Sequence, residues 1–278
     1  MNYTTLNTGD KMPMLGLGVY RVGEEEQGVS AMLSAFKAGY RSIDTAEAYD
    51  NEHIVGQAVR ESGLKREELF ITTKLSNPSQ RSGDPEAAFA QSLQRLGMDY
   101  VDLYLIHWPV KEHFVQSWLA MEKIYKSGRA KAIGVSNFQS HHIDAIKEVW
   151  TVVPAINQIE LHPRFTQKPM LEDNKTHGII TQAWSPLGGN RDADFKGNML
   201  NDKVLVELGQ KYNKTTAQII LRWNIELGIV TIPKSVTPHR ICENIGVFDF
   251  ALTAAEVAAI DALNQDHRVG PDPDNFDF

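Results

Sequence analysis

The chain has 278 residues, of which 42% are hydrophobic and 23% charged, and its net charge is −7. This length suits one α/β barrel of about 250 residues. The acidic balance excludes a general affinity for nucleic acid or anionic membranes, and a single cysteine, Cys242, excludes an intramolecular disulfide.

The start, Met1-Asn2-Tyr3-Thr4-Thr5, lacks a signal-peptide pattern, so a cytoplasmic protein is expected. No apolar run approaches the roughly 20 residues of a membrane helix. Residues 5–15 (TLNTGDKMPML) read as a small hairpin that would close the bottom of a barrel. Residues 28–38 place Val29, Met32, Leu33 and Phe36 on one helical face, stopped by Gly39. A strand at Arg41–Asp44, a helix at 52–62 and a strand at 69–74 follow. Asp84-Pro85-Glu86 opens a helix to about Leu96. Then come a strand at 100–106, a helix at 114–127, a strand at 131–136 and a helix at 140–149. The alternation continues with a strand at 156–160, a helix at 167–176 and a strand at 178–184. Helices are expected at 200–211 and 215–227, a seventh strand at Ile229–Ile232 and an eighth at Ile245–Phe248.

Near-continuously apolar strands alternating with helices mean a parallel sheet covered on both faces. Seven or eight such units favour a closed (β/α)8 TIM barrel, one domain over 1–278. An open dinucleotide-binding sheet would carry G-x-G-x-x-G. The nearest match, Gly16-Leu17-Gly18, has Arg21 where the third glycine belongs, so the fingerprint fails.

Asp44, Tyr49, Lys74 and His107 each sit at or just past the end of an apolar strand-like run. They converge only if those strands lie side by side and parallel, as at the C-terminal mouth of a barrel. A phenol is a poor acid at neutral pH, with a pKa near 10. An ammonium beside it lowers that value, and a carboxylate keeps the ammonium charged. A histidine alongside can donate a hydrogen bond to a carbonyl oxygen. The set suits carbonyl reduction, which needs hydride from a nicotinamide cofactor.

Longer motifs carry a resemblance. Gly39-Tyr40-Arg41-Ser42-Ile43-Asp44-Thr45-Ala46 followed by Tyr49, Glu52 and Gly56 is one. Asp102-Leu103-Tyr104-Leu105-Ile106-His107-Trp108-Pro109 is another. Gly134-Val135-Ser136-Asn137-Phe138, Asn157-Gln158-Ile159-Glu160 and Ile232-Pro233-Lys234-Ser235 with Arg240, Glu243 and Asn244 complete the series. In this order they resemble the aldo-keto reductases, specifically bacterial-type NADPH-dependent aldehyde and ketone reductases, from about residue 5 to 278.

The resemblance implies Tyr49 as general acid, Lys74 and Asp44 as its tuning pair, and His107 as the carbonyl-orienting group. It implies NADPH across the barrel mouth, passing Gly18. Ser136, Asn137 and Gln158 would hold the carboxamide, and Trp184 would stack on the nicotinamide. Ser185 and Leu187 would lie at the pyrophosphate, Lys234, Ser235 and Arg240 at the 2′-phosphate, and Asn244 at the adenine. Two cations and two hydroxyls between Lys234 and Arg240, with Pro238 starting a helix, suit an anion and favour NADP. Tyr20 and Trp108 are expected as walls for a small carbonyl substrate.

Other features read as structural. His141 and His142 are adjacent, so on a helix they should diverge, and no metal is expected. Cys242 reads as a buried small residue. Trp118, Trp150 and Trp223 read as packing. Ser76, where many relatives have tryptophan, would widen the pocket, and 76–84 reads as a flexible loop. Phe276 or Phe278 could fold inward from the polar tail. No interface helix stands out, and a monomer is expected. Two rival readings are a dinucleotide-binding regulatory protein of the same fold and an aldolase-type barrel using Lys74 as a Schiff base.

Overall fold

The computed structural model describes residues 2–189 and 193–276. Strands β1 (Tyr3–Thr5) and β2 (Lys11–Pro13) pair antiparallel as the expected hairpin, with Tyr3 opposite Pro13. Gly9 supplies the turn at φ 91°. β3 (Leu17–Gly18), α1 (Glu25–Ala38), β4 (Ser42–Asp44) and α2 (Glu52–Glu61) follow. Next come β5 (Phe70–Leu75), α3 (Asn77–Ser82), α4 (Pro85–Leu96), β6 (Val101–Ile106) and α5 (Phe114–Lys126). The middle of the chain forms β7 (Ala130–Ser136), α6 (Ser140–Lys147), β8 (Ile156–Glu160), α7 (Lys168–Thr176) and β9 (Ile180–Trp184). The last third forms α8 (Ala193–Leu200), α9 (Lys203–Tyr212), α10 (Thr216–Glu226), β10 (Val230–Thr231), α11 (Pro238–Ile245) and α12 (Ala254–Asp261).

Strands β3 to β10 form one parallel row in chain order. Such a row, with helices between successive strands, is consistent with the (β/α)8 fold. Its two ends meet. The Thr231 amide donates to the Met14 carbonyl at 3.0 Å, the Gly16 amide to Thr231 at 3.0 Å, and the Gly18 amide to Pro233 at 3.2 Å. Every residue of β5 and β6 is buried, as expected for strands covered on both faces.

The eighth strand is β3, not Ile245–Phe248. Ile245 ends α11, and Gly246 follows as its C-cap. β3 is two residues long and half glycine, so it carries no apolar run. Residues 76–84 are not a loop throughout. The Ser76 hydroxyl caps α3 by accepting the Ser79 amide at 3.2 Å, Pro78 sits in its first turn, and Gly83 ends it at φ 79°. Ser76 is buried, and its amide donates to Glu47 at 3.0 Å, so it serves as a helix cap. Trp118 and Trp223 are fully buried packing residues, and Trp150 meets the His177 ring edge-on at 5.9 Å.

Candidate active site

β4, β5 and β6 are neighbours in register, with Asp44 opposite Thr72 and Lys74 opposite Leu105. Their C-terminal ends therefore bring Asp44, Lys74 and His107 to one region. A single 3₁₀ turn, Glu47–Tyr49, folds Tyr49 back over them. Lys74 is wholly buried. Its Nζ donates to Asp44 Oδ1, to the Thr45 carbonyl at 2.9 Å and to the Tyr49 hydroxyl at 3.5 Å. The His107 ring lies edge-on to the Tyr49 ring at 5.5 Å. The four residues singled out from the sequence are thus together.

Their protonation follows from burial. Burial first, then the Asp44 charge and Tyr20, push the Tyr49 phenol well above its ordinary 10. This direction is opposite to the expected lowering by Lys74. With the amine 3.5 Å away and committed to Asp44, burial dominates. Burial also lowers the Lys74 pKa, while Asp44 works to raise it. Burial, followed by the Lys74 charge, holds His107 well below 6.5. The site at rest is a neutral phenol, a neutral imidazole and a clamped lysine.

A second layer surrounds this set. The Gln158 amide donates to Asp44 Oδ2 at 2.7 Å and to Gln182 at 2.9 Å. Asn137 donates to the His107 carbonyl and to the Ser136 hydroxyl, both at 3.0 Å. The Trp184 indole N–H donates to Asn137 Oδ1 at 2.8 Å, a bond that a tyrosine in its place has no N–H to make. Ser136 donates to the Gln158 carbonyl at 2.9 Å. Ser136, Asn137, Gln158 and Trp184 are therefore one network touching the catalytic candidates.

Three non-glycine residues just beyond strand ends adopt left-handed backbone: Arg21 at φ 59°, Asn137 at 64° and Ser185 at 47°. Such strain persists where surrounding structure enforces it, often at functional sites. Ser185 and Leu187 lie after β9 in a stretch that also holds Gly188 and Gly189 at φ 80° and 64°. Gly18 is tightly seated, since a Cβ there would lie 3.1 Å from the Ile232 carbonyl.

Beyond β10, Ser235 and Asn244 are buried while Lys234 and Arg240 are exposed. Desolvation and the neighbouring Arg21 charge lower the Lys234 pKa. An anion bound there would relieve the charge of Arg21 on Lys234. Arg21 escaped the sequence reading, which took it only as a missing glycine. Its signal was a cation directly after the predicted wall Tyr20.

The walls form a chain of rings. Tyr20 lies 5.0 Å from Tyr49, His107 6.4 Å from Trp108, and Trp108 4.3 Å from Phe276. Phe276 has folded inward, whereas Phe278 lies outside the described residues. Cys242 is exposed on α11 rather than buried.

The histidines do not diverge. Their rings are 4.0 Å apart, and the Nε2 atoms of His141 and His142 lie 2.8 and 3.2 Å from Asp274 Oδ1. The three residues could in principle hold a metal. However, His142 Nδ1 accepts the Gln139 amide at 3.1 Å, which puts the proton of the neutral ring on Nε2, facing Asp274. Metal ligands normally show the reverse, donating through the second nitrogen. This is a hydrogen-bonded clamp on the tail.

A model of the aldo/keto reductase family matches residues 14–265. The chain belongs to the aldo/keto reductase family. As a member of it, the protein is an NADP-dependent oxidoreductase acting on carbonyl groups. It is 51% identical over 278 residues to the uncharacterized oxidoreductase YtbE of Bacillus subtilis, covering 99% of this chain and 97% of the relative. It is 48% identical to the glyoxal reductase of the same organism, covering 98% and 96%. Among solved aldo/keto reductases, one from Bombyx mori in complex with NADP superposes with a TM-score of 0.89 at 37% identity, covering 98% of this chain and 96% of that one.

Proposed function

We propose that the protein reduces small aldehydes and ketones, α-dicarbonyls among them, to alcohols, with Tyr49 giving the proton. The observation that carries this reading is the buried Lys74 amine held between the Asp44 carboxylate and the Tyr49 hydroxyl, 3.5 Å away. The glyoxal reductase relative supports the dicarbonyl class.

The residues present suit NADPH. Trp184 offers a half-buried ring, the Ser136, Asn137 and Gln158 network offers amide and hydroxyl groups, and Lys234 with Arg21 offers paired cations. When bound, NADPH supplies the hydride. Trp184 would flank the nicotinamide, and Ser136, Asn137 and Gln158 would meet its carboxamide. Gln158 spends its N–H groups on Asp44 and Gln182, so only its oxygen is available. Gly18, Ser185 and Leu187 would border the pyrophosphate. Lys234, Ser235 and Arg240 would take the 2′-phosphate, and Asn244 the adenine.

The protein's own groups then act on the carbonyl. Neutral His107 can donate an N–H without placing a second charge beside Lys74. Tyr49, held protonated by burial, keeps its proton until negative charge develops on the substrate oxygen. The Lys74 ammonium then stabilises the phenolate left behind, and Asp44 holds that ammonium charged. Tyr20 and Trp108 wall the substrate. No metal is needed. The Schiff-base alternative lacks a free amine, because Lys74 Nζ is engaged by Asp44, the Thr45 carbonyl and the Tyr49 hydroxyl.

In this reading residues 1–278 act as one cytoplasmic, monomeric domain. The β1–β2 hairpin closes the lower end of the barrel, which the Asn7 side chain supports by donating to the Val153 carbonyl at 3.1 Å. Tyr49→Phe is the test. It should keep the wild-type melting temperature and lose about a thousandfold in kcat for NADPH-dependent reduction of small aldehydes. Retention of most activity would reject Tyr49 as the acid.

A further inference from the structure

Glu160 ends β8 and is wholly buried, yet among the described residues no Lys or Arg forms an ion pair with it. Its carboxylate is satisfied by the C-terminal tail. Oε1 accepts the Val269 amide at 2.7 Å and His162 Nε2 at 3.1 Å, and Oε2 accepts the Gly270 amide at 2.8 Å. His162 is equally buried, and its Nδ1 has no partner. These bonds span 109 and 110 positions in sequence. A carboxylate removed from water is tolerated only when hydrogen bonded, so the tail root and Glu160 hold each other in place.

The same contact reaches the site. A Cβ on Gly270 would lie 2.3 Å from Trp184 Cη2 and 2.8 Å from Glu160 Oε2, so the tail backbone runs directly against the indole edge. From there the tail passes Gln139, whose side chain donates to Asp272 at 3.4 Å. It then meets the His141–His142 pair through Asp274 and ends with Phe276 on Trp108. The strap is therefore fixed at its root by Glu160, halfway by α6, and at its tip by an aromatic contact.

We propose that Glu160 is a positioning residue that sets where the tail leaves the barrel, and hence where Phe276 stands over the carbonyl substrate. This rests on the reductase function proposed above. A carboxylate is required because both oxygens must accept. In Glu160→Gln one of them becomes an NH2 group aimed at a backbone N–H. The root would loosen while Trp184 keeps its bond to Asn137. Cofactor binding should then change little, and substrate recognition should suffer.

The experiment compares wild type, Glu160→Gln, Phe276→Ala and the double variant. Amide exchange at Val269 and Gly270 is measured alongside NADPH affinity by tryptophan fluorescence, and kcat and KM are measured for methylglyoxal and for a bulky aromatic aldehyde. Glu160→Gln should speed exchange at both amides and raise the methylglyoxal KM about tenfold with a much smaller change in kcat. Preference for the small substrate should fall. NADPH affinity should stay within about twofold, since Trp184 keeps its bond to Asn137 and the other proposed cofactor contacts do not touch the tail root. In the Phe276→Ala background Glu160→Gln should add almost nothing to KM, because the two would act through one wall.

Should Glu160→Gln fail to fold, Glu160→Asp keeps the charge but draws the carboxylate back by one methylene from the Val269 and Gly270 amides, and should give the same KM rise and loss of preference. Unchanged exchange, or additive effects in the double variant, would overturn the proposal. If wild type itself reduces neither aldehyde with NADPH, the reductase reading falls instead, and the exchange data still report whether Glu160 anchors the tail.

Discussion

At the scale of single residues, burial governs the candidate site more than pairwise charge does. Tyr49 is held above the ordinary phenol pKa and His107 below the ordinary imidazole range, so neither changes charge in the neutral region. Carbonyl reduction should therefore show no break near pH 6.5 and no alkaline loss through Tyr49 up to about pH 9, below the ordinary phenol pKa near 10. Alcohol oxidation needs the phenolate and should rise over the same range. Initial rates in both directions across pH 6 to about 9 check this; an alkaline fall in reduction with intact protein would contradict it. Asp44 carries a structural burden as well. Asp44→Asn leaves a buried ammonium without its countercharge and should cost about 3–5 kcal/mol, read by urea unfolding.

His142 adds a pH effect on stability. Burial, then the neighbouring His141, bring its pKa down to about 4, against the pull of Asp274 and Asp272. An unfolded histidine takes up its proton near pH 6.5. The folded state therefore binds fewer protons between these values, and stability should fall as pH drops from about 6.5 to about 4. Below that window this contribution levels off. His142→Gln should flatten part of the slope in a melting series.

At the scale of elements, close approaches decide tolerance. Gly56 on α2 faces the end of α4, and a Cβ there would lie 2.1 Å from the Leu96 carbonyl. Gly56→Ala must push a helix terminus aside and should destabilise by about 1–3 kcal/mol or more, seen as a lower melting temperature with little change in KM. Under the proposed function, α11 would be the element that discriminates between cofactors. It starts at Pro238, three positions after Ser235, and it carries Arg240 and Asn244. Replacing Lys234 and Arg240 with alanine should raise the NADPH KM at least about tenfold while leaving that for NADH nearly unchanged.

At the scale of the whole molecule, the parallel row was legible because strands such as β5 and β6 are continuous apolar runs ending in polar residues. Those ends mark Asp44, Lys74 and His107 in the sequence itself. β3 was not legible, since two residues carry no period and its place is set by partners over 200 positions away. The inward turn of Phe276 was among the expectations, but the contacts that anchor the rest of the tail were hidden for the same reason. Glu160 stood in the sequence only as the last residue of the Asn157–Glu160 motif, and His141 and His142 looked divergent, until Val269, Gly270 and Asp274 arrived from the far end of the chain. The exposure of Cys242 likewise depends on which face α11 presents. Local pattern reveals what each element wants to bury, but not what a distant segment will bring to it.

The junction between Met14–Gly18 and Thr231–Pro233 has a bearing on biosynthesis. The ring of strands cannot be joined until most of the polypeptide has left the ribosome, so its earliest-made strand must wait for its last-made neighbour. Nascent chains arrested before Ile229 should stay sensitive to protease along their first strands, and chains released beyond α11 should become resistant in a single step.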